Sequence, residues 1–245
     1  MGSRKIADKL GICKSTVNYY FKEYLDNNFV ETNRPKICFI DIESMPSITA
    51  TFGRRKQNIS QDAVLREGGW IASYAYKFLG DTEVKGNVLS EEEAINADDS
   101  QLCLELWELI EQSDVLVAHN LINFDLPMIK ARMIVNGLPP IRKVKLMDTL
   151  VLSREFRYNS HKLDSLCQQL GLGEKMAHSG IYLWIECMEG NPEALQHLLE
   201  YNKQDIVLLE ELYLKIAPYS TKHPNLAVNL GDKVRCNICC SDTVS

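Results

Sequence analysis

No apolar run in this 245-residue chain approaches the ~20 residues needed to cross a bilayer, so nothing in it reads as a membrane span. The N-terminus lacks the charged-then-apolar pattern of a secretory signal. A cytoplasmic setting with no membrane partner is therefore expected. Internal repeats and low-complexity tracts are missing as well. The eight cysteines make no disulfide framework. Cys13, Cys38, Cys103, Cys167 and Cys187 stand singly in apolar segments and read as small buried hydrophobes. Basic residues are absent from one long stretch. From Gly86 to Ile129 there is no Lys or Arg against ten acids, so part of the net charge of −6 belongs to one solvated face. A negative balance argues against a nucleic-acid partner, but cations collect elsewhere. Arg4, Lys5, Lys9 and Lys14 form one group, Arg54, Arg55 and Lys56 a second, and Arg142, Lys143 and Lys145 a third.

What is present divides the chain. Residues 1–30 carry Ile6, Leu10, Val17, Phe21 and Leu25 at helical spacing. Gly11 interrupts them, and Ser15 is a natural N-cap for a second helix. The spacing Ala7-x3-Gly11-x5-Val17 resembles a helix-turn-helix signature, in which a small residue and a glycine let two helices approach. Lys14, Ser15, Thr16, Asn18 and Tyr19 would then face DNA. A helical hairpin used as an oligomer contact is the alternative. Residues 31–36 read as a linker, 37–217 as the main domain and 218–245 as a tail.

In the main domain, Ile37 to Glu43, Trp70 to Leu79, Thr82 to Leu89, Val115 to Ala118 and Val144 to Met147 have strand patterns. Gln101 to Gln112, Leu126 to Val135 and Pro192 to about Ile216 have helical ones. Strands first, then strands alternating with helices, predict an α/β fold with a mixed sheet flanked by helices.

Three carboxylate motifs lie on these elements. Asp41 and Glu43 end the first strand, and alternation puts both on one face. A buried strand seldom ends in two acids without reason. Asp125 stands where a strand meets a helix, preceded by His119 and Asn120. An N-cap is its simplest alternative role, but a cap needs neither neighbour, and Asn120 is a candidate to bond a phosphate or to hold a ligand carboxylate in place. Tyr201 and Asp205 are four apart on the long helix and share a face. Four converging carboxylates require a counter-charge. Hard divalent cations, which prefer oxygen ligands, supply it. A pair of such ions is the usual apparatus for phosphodiester cleavage.

Taken together, Asp41-x-Glu43, Asp125 and Tyr201-x3-Asp205 resemble the DEDD superfamily of 3′→5′ exonucleases, in its tyrosine-type branch. The resemblance covers roughly residues 36–217 and extends to exonuclease-like proteins of phages. It implies a ribonuclease-H-like fold and two Mg²⁺ or Mn²⁺ ions. Asp41, Glu43, Asp125 and Asp205 would be the metal ligands, and Tyr201 would orient the attacking water. Asp148 is expected to support the site or cap a helix. The expected substrate is a single-stranded DNA 3′ end, shortened to 5′-mononucleotides. RNA as substrate and a DNA-binding scaffold role are the alternatives.

Arg54, Arg55 and Lys56 are candidates for backbone phosphates. Phe52, Trp70, Tyr74 and Tyr76 are candidate stacking faces, although Tyr74 and Tyr76 share a strand face and also fit ordinary packing. Glu200, Glu210 and Glu211 are expected to face solvent. Cys236-x2-Cys239 is half of a zinc knuckle. Structural Zn²⁺ takes four ligands and no second pair follows, so free thiols are the competing reading.

Overall fold

The computed structural model describes residues 35–53, 58–176, 179–226 and 238. The helix-turn-helix reading with Lys14, the Arg54-Arg55-Lys56 cluster and the cysteines Cys236, Cys239 and Cys240 lie outside the described residues. The larger of two compact units runs from Lys36 to Pro224 and holds everything that follows.

Strand β1 (Ile37–Ser44) is buried along most of its length. A strand covered on both faces needs such a near-continuous apolar run. It is the middle strand of a five-stranded sheet. Antiparallel β4 (Ile71–Phe78) pairs with it on one side, with Asp41 opposite Ala75 and Glu43 opposite Ser73. Parallel β6 (Val115–Ala118) pairs with it on the other. β5 (Lys85–Val88) and β7 (Lys145–Asp148) are the edges, giving the order β5-β4-β1-β6-β7. β2 (Ile48–Thr49) and β3 (Val64–Arg66) form a separate two-stranded ribbon. The helices are α1 (Glu91–Asn96), α2 (Ser100–Gln112), α3 (Asp125–Val135), α4 (Thr149–Ser153), α5 (Leu163–Leu170), α6 (Ile181–Met188) and α7 (Pro192–Ile216). Parallel neighbours cannot be joined by a tight turn. Helix α3 makes the crossover between β6 and β7. The mixed sheet flanked by helices is therefore the architecture that forms.

Alternation decides what each sheet face meets. On β4, the Tyr74 hydroxyl donates to Glu105 of α2 at 2.8 Å, and the Ser73 hydroxyl donates to Asn202 of α7 at 3.2 Å. Neighbouring strand residues point oppositely, so α2 and α7 lie on opposite faces. On β1, Ile40 and Ile42 join the core with Tyr74, Leu102 and Leu106. Phe39 turns the other way and meets the Tyr213 ring of α7 edge-on, centroids 5.4 Å apart. Asp41 and Glu43 share its side, toward α7.

Helix α7 starts at Pro192, with the Asn191 side chain accepting from the Glu193 and Ala194 amides at 3.0 and 3.2 Å. Proline at the first position loses no hydrogen bond there. Glu210, expected in solvent, instead accepts from Lys77 of β4 at 2.6 Å and helps seat α7 on the sheet. Glu200 and Glu211 are exposed as expected. Helix α1 and the β2–β3 ribbon have no counterpart in the sequence reading. The first is a six-residue helix with almost no apolar face, and the second is too short to alternate. Cys38, Cys103, Cys167 and Cys187 are free and buried, as their apolar settings suggested. No helix among the described residues is long and apolar enough to cross a membrane.

Candidate metal centre

Because Asp41 and Glu43 leave β1 on the face that α7 covers, they meet the polar residues of that helix. One carboxylate oxygen from each of Asp41, Glu43 and Asp205 lies within 4.8 Å of the others. Asp125 approaches from the end of β6, through the loop 119–124. Asp148, at the end of β7, shapes that loop. Its carboxylate accepts the Asn120 and Ile122 amides at 3.0 and 3.1 Å and also the Leu150 amide at 3.0 Å, which caps α4. Asn120 takes a left-handed φ of 78°, a conformation that Asn tolerates better than most residues. Asp125 is the first residue of α3 rather than its cap, which falls on Phe124 without a side-chain bond. Asp125 is thus released from capping. It is 1% exposed, and its Oδ2 has no hydrogen-bond partner among the described residues.

The electrostatics are those of acids crowded out of water. Burial, then the carboxylates of Asp125, Asp205 and Glu43, push the Asp41 carboxyl well above the ordinary range. Burial, then Asp205, pushes Glu43 up to about 7, against a hydrogen bond from Trp184. Burial also pushes Asp125 up to about 7. Lys175, which the sequence reading did not single out, offsets part of this repulsion. Its ammonium donates to Asp205 Oδ2 and, at 3.1 Å, to the Tyr201 hydroxyl, and lies 5.1 Å from the centre of the Tyr201 ring. Burial would lower its pKa, but Asp205 and Tyr201 hold it above the ordinary value. Tyr201 is itself raised, chiefly by burial and then by Asp205, and stays protonated at neutral pH.

The donor set fits hard divalent cations. Among the described residues the three-acid group of Asp41, Glu43 and Asp205 offers carboxylate oxygens only, and Asp125, outside that group, adds a buried acceptor oxygen with no protein donor.

Two hollows flank the acids. The first is lined by His119, Asn120, Leu150, His161, Lys162, Leu163, Asp164 and Lys175. The second is lined by Glu43, Ser44, Pro46, Gly180, Ile181 and Trp184 and is largely apolar. His119 is tied between the Thr149 hydroxyl at 2.9 Å and the His161 carbonyl at 2.8 Å, and burial lowers its pKa. It is a packed loop residue.

The stacking expectation is corrected for Trp70 and Tyr74, which are buried at 4% and 6% exposure. Tyr74 stacks on Tyr76 instead, centroids 6.2 Å apart, and Tyr76 meets Phe78 edge-on. Phe52 is fully exposed. Arg142 binds the Glu111 carbonyl at 3.0 Å, the Ser113 carbonyl and Asp114, and is exposed together with Lys143 and Lys145.

The lysine went unseen because it sits in an irregular segment 30 residues before Asp205. The glycines Gly171 and Gly173 were the only local signal that the chain turns back there.

Residues 76–217, more than half of the chain, match the model of a family described as RNase_H superfamily. This span includes Asp125, Tyr201 and Asp205 and begins after Asp41 and Glu43. Over 97 residues the chain is 34% identical to the DNA polymerase III PolC-type of Ureaplasma parvum serovar 3 (strain ATCC 700970), covering 38% of this chain and 7% of that protein. The family B DNA polymerase of the hyperthermophilic archaeon Pyrobaculum calidifontis superposes with a TM-score of 0.55 at 15% identity, over 76% of this chain and 25% of the polymerase. That likeness is one of fold. With a five-stranded mixed sheet, acids gathered at its centre and a family match across the helices that complete them, the chain belongs to the RNase_H superfamily.

Proposed function

We propose that the protein is a metal-dependent 3′→5′ exonuclease that shortens single-stranded DNA. One observation carries the reading: Asp41, Glu43 and Asp205 converge beside a buried, partly unsatisfied Asp125, with Tyr201 one helical turn from Asp205. A scaffold has no use for that arrangement, which destabilises the bare fold. The matched curated protein is a DNA polymerase by name, in keeping with a nucleic-acid substrate.

Asp41, Glu43, Asp125 and Asp205 would hold two Mg²⁺ or Mn²⁺ ions. Bound there, such ions neutralise the carboxylates, acidify water and stabilise charge on the departing oxygen. The chain's own residues do the rest. Tyr201 stays protonated, so its hydroxyl orients the attacking water and does not deprotonate it. Lys175 holds the Tyr201 hydroxyl in place and puts positive charge beside the phosphate path. The apolar hollow of Pro46, Ile181 and Trp184 suits the terminal sugar and base. The other hollow, with Asn120, Lys162 and Lys175 in its lining, suits the backbone phosphates behind them. Residues 1–30 with Lys14, and Arg54, Arg55 and Lys56, would add DNA contacts.

The test is a labelled-strand assay. Matched 5′-labelled DNA and RNA oligonucleotides are incubated with Mg²⁺ or Mn²⁺, and a ladder shrinking from the 3′ end is expected on DNA. Intact strands at all times would overturn the reading, and a ladder on RNA alone would reassign the substrate. Tyr201→Phe refines the test. Mn²⁺ binding should survive while turnover falls roughly 10²-fold, the cost of a misaligned nucleophile.

A further inference from the structure

Buried inside α7, one residue after Tyr201, lies an asparagine that neither helix formation nor packing calls for. Asn202 is 0% exposed, in the middle of a helix where Asn is a poor former. Its side chain spends its bonding capacity on neighbouring elements. The amide nitrogen donates to Asp41 Oδ2 at 2.6 Å, and the amide oxygen accepts from the Ser73 hydroxyl at 3.2 Å. Ser73 is also 0% exposed and stands opposite Glu43 in the β1–β4 register, on the same face as both acids. The relay therefore joins β4, α7 and β1 at the centre of the site. Among the described residues it is the only side-chain hydrogen bond made to Asp41.

We infer that Asn202, with its amide orientation fixed by Ser73, is a positioning residue that sets the rotation of the Asp41 carboxylate for cation binding. The chemistry is directional. An amide can present either its nitrogen or its oxygen to a neighbour. An ionised carboxylate only accepts, so it takes the nitrogen side. The oxygen then needs a donor on its far side, and Ser73 is that donor. Held this way, Asp41 keeps Oδ2 on the amide and leaves Oδ1 for an ion. Partners that orient a ligand in this manner typically change metal affinity by 10–100-fold when removed. A purely structural asparagine would bond backbone groups, and neither partner here is one.

This inference rests on the metal-dependent reading, and the experiment separates the two. Mn²⁺ binding is titrated by electron paramagnetic resonance on wild-type protein and on Asn202→Leu, Asn202→Ala, Ser73→Ala and Ser73→Thr, with nuclease turnover measured across Mn²⁺ concentration. Asn202→Leu and Asn202→Ala should weaken Mn²⁺ binding roughly 10–100-fold. Ser73→Ala should weaken it less, because the amide stays but is free to turn over. Ser73→Thr, which keeps the hydroxyl, should recover most of that loss. Saturating Mn²⁺ should restore much of the turnover of the Asn202 variants, which a folding defect would not allow. Mn²⁺ affinity within twofold of wild type in Asn202→Leu overturns the inference. Absence of Mn²⁺ binding by wild type overturns the metal-dependent reading itself, and this inference with it. If Asn202→Leu does not fold, the contrast between Ser73→Ala and Ser73→Thr decides, and equal affinities there overturn it.

Discussion

Asp41→Asn is expected to cut metal-dependent turnover by about 10³-fold and, in the same molecule, to stabilise the metal-free fold at pH 8. On the proposed metal-dependent function, the first effect follows from losing a charged ligand. A bound cation contributes several kcal/mol to charge stabilisation, and each ~1.4 kcal/mol is a factor of ten in rate. The second follows from the crowding of acids. Burial and three neighbouring carboxylates hold the Asp41 carboxyl well above its ordinary range, and Glu43 and Asp125 are pushed up to about 7. Between about pH 4 and 7 the folded protein thus binds protons that the unfolded chain has released. Metal-free stability must fall as pH rises through that window. Removing the Asp41 charge removes much of the repulsion, so the variant melts higher than wild type at pH 8 in EDTA. Below about pH 3, where these acids are largely protonated folded or unfolded, the gain vanishes. Excess Mg²⁺ or Mn²⁺ should reverse the order at pH 8, because wild type gains binding free energy that the variant cannot. Thermal melts at the two pH values, with EDTA and with metal, check every part. A variant that melts lower than wild type at pH 8 in EDTA would show that the acids are not in mutual repulsion.

The elements carrying this site were legible because each has a simple period. The apolar run before Asp41 marks a strand buried on both faces, and the two-residue step to Glu43 fixes their common side. The four-residue step from Tyr201 to Asp205 does the same on α7. Pro192 and Asn191 announce where that helix starts. What the sequence did not carry are contacts between residues distant in the chain whose types have many ordinary uses. Lys175 is one lysine among many until a glycine-broken loop folds it onto Asp205. Ser73 and Asn202 are 129 residues apart and look like unremarkable polar positions. Trp70 and Tyr74 look like stacking surfaces until the fold buries both in the core, Tyr74 against α2. Asp148 was legible as a cap, but not as the acceptor that shapes the loop before Asp125, because that depends on β6 and β7 lying side by side.

Asp99 governs the same site from the opposite face of the sheet, and Asp99→Ala should cost roughly 3–5 kcal/mol, the usual penalty for orphaning a buried charge. Its carboxylate is 0% exposed and accepts four hydrogen bonds. The Ile71 amide of β4 donates at 2.8 Å, Arg132 Nε and Nη2 at 2.7 and 2.8 Å, and Asn136 at 2.8 Å. Burial alone would raise this carboxyl, but the Arg132, Ile71 and Asn136 bonds outweigh it and hold it below the ordinary range. The sign is thus opposite to that of the central acids. Asp99 contributes stability above the ordinary carboxylate range and loses it as pH falls through its depressed folded value. Arg132 lies on α3, the helix whose first residue is Asp125, so this pair pins α3 to the start of α2 and to β4. Removing Asp99 leaves a guanidinium, an amide and a backbone N–H to resolvate in a tight space. For a chain of this length the melting temperature should drop by roughly 6–20 °C. Asp99→Asn, which keeps an acceptor but loses the charge, should fall between. Because α3 also carries Asp125, the folded fraction of Asp99→Ala should bind Mn²⁺ more weakly than wild type at the same temperature. Denaturation with urea gives the stability loss, and Mn²⁺ titration well below the melting transition gives the coupling. An unchanged midpoint would mean that Arg132 and the Ile71 amide find water as readily as they find Asp99.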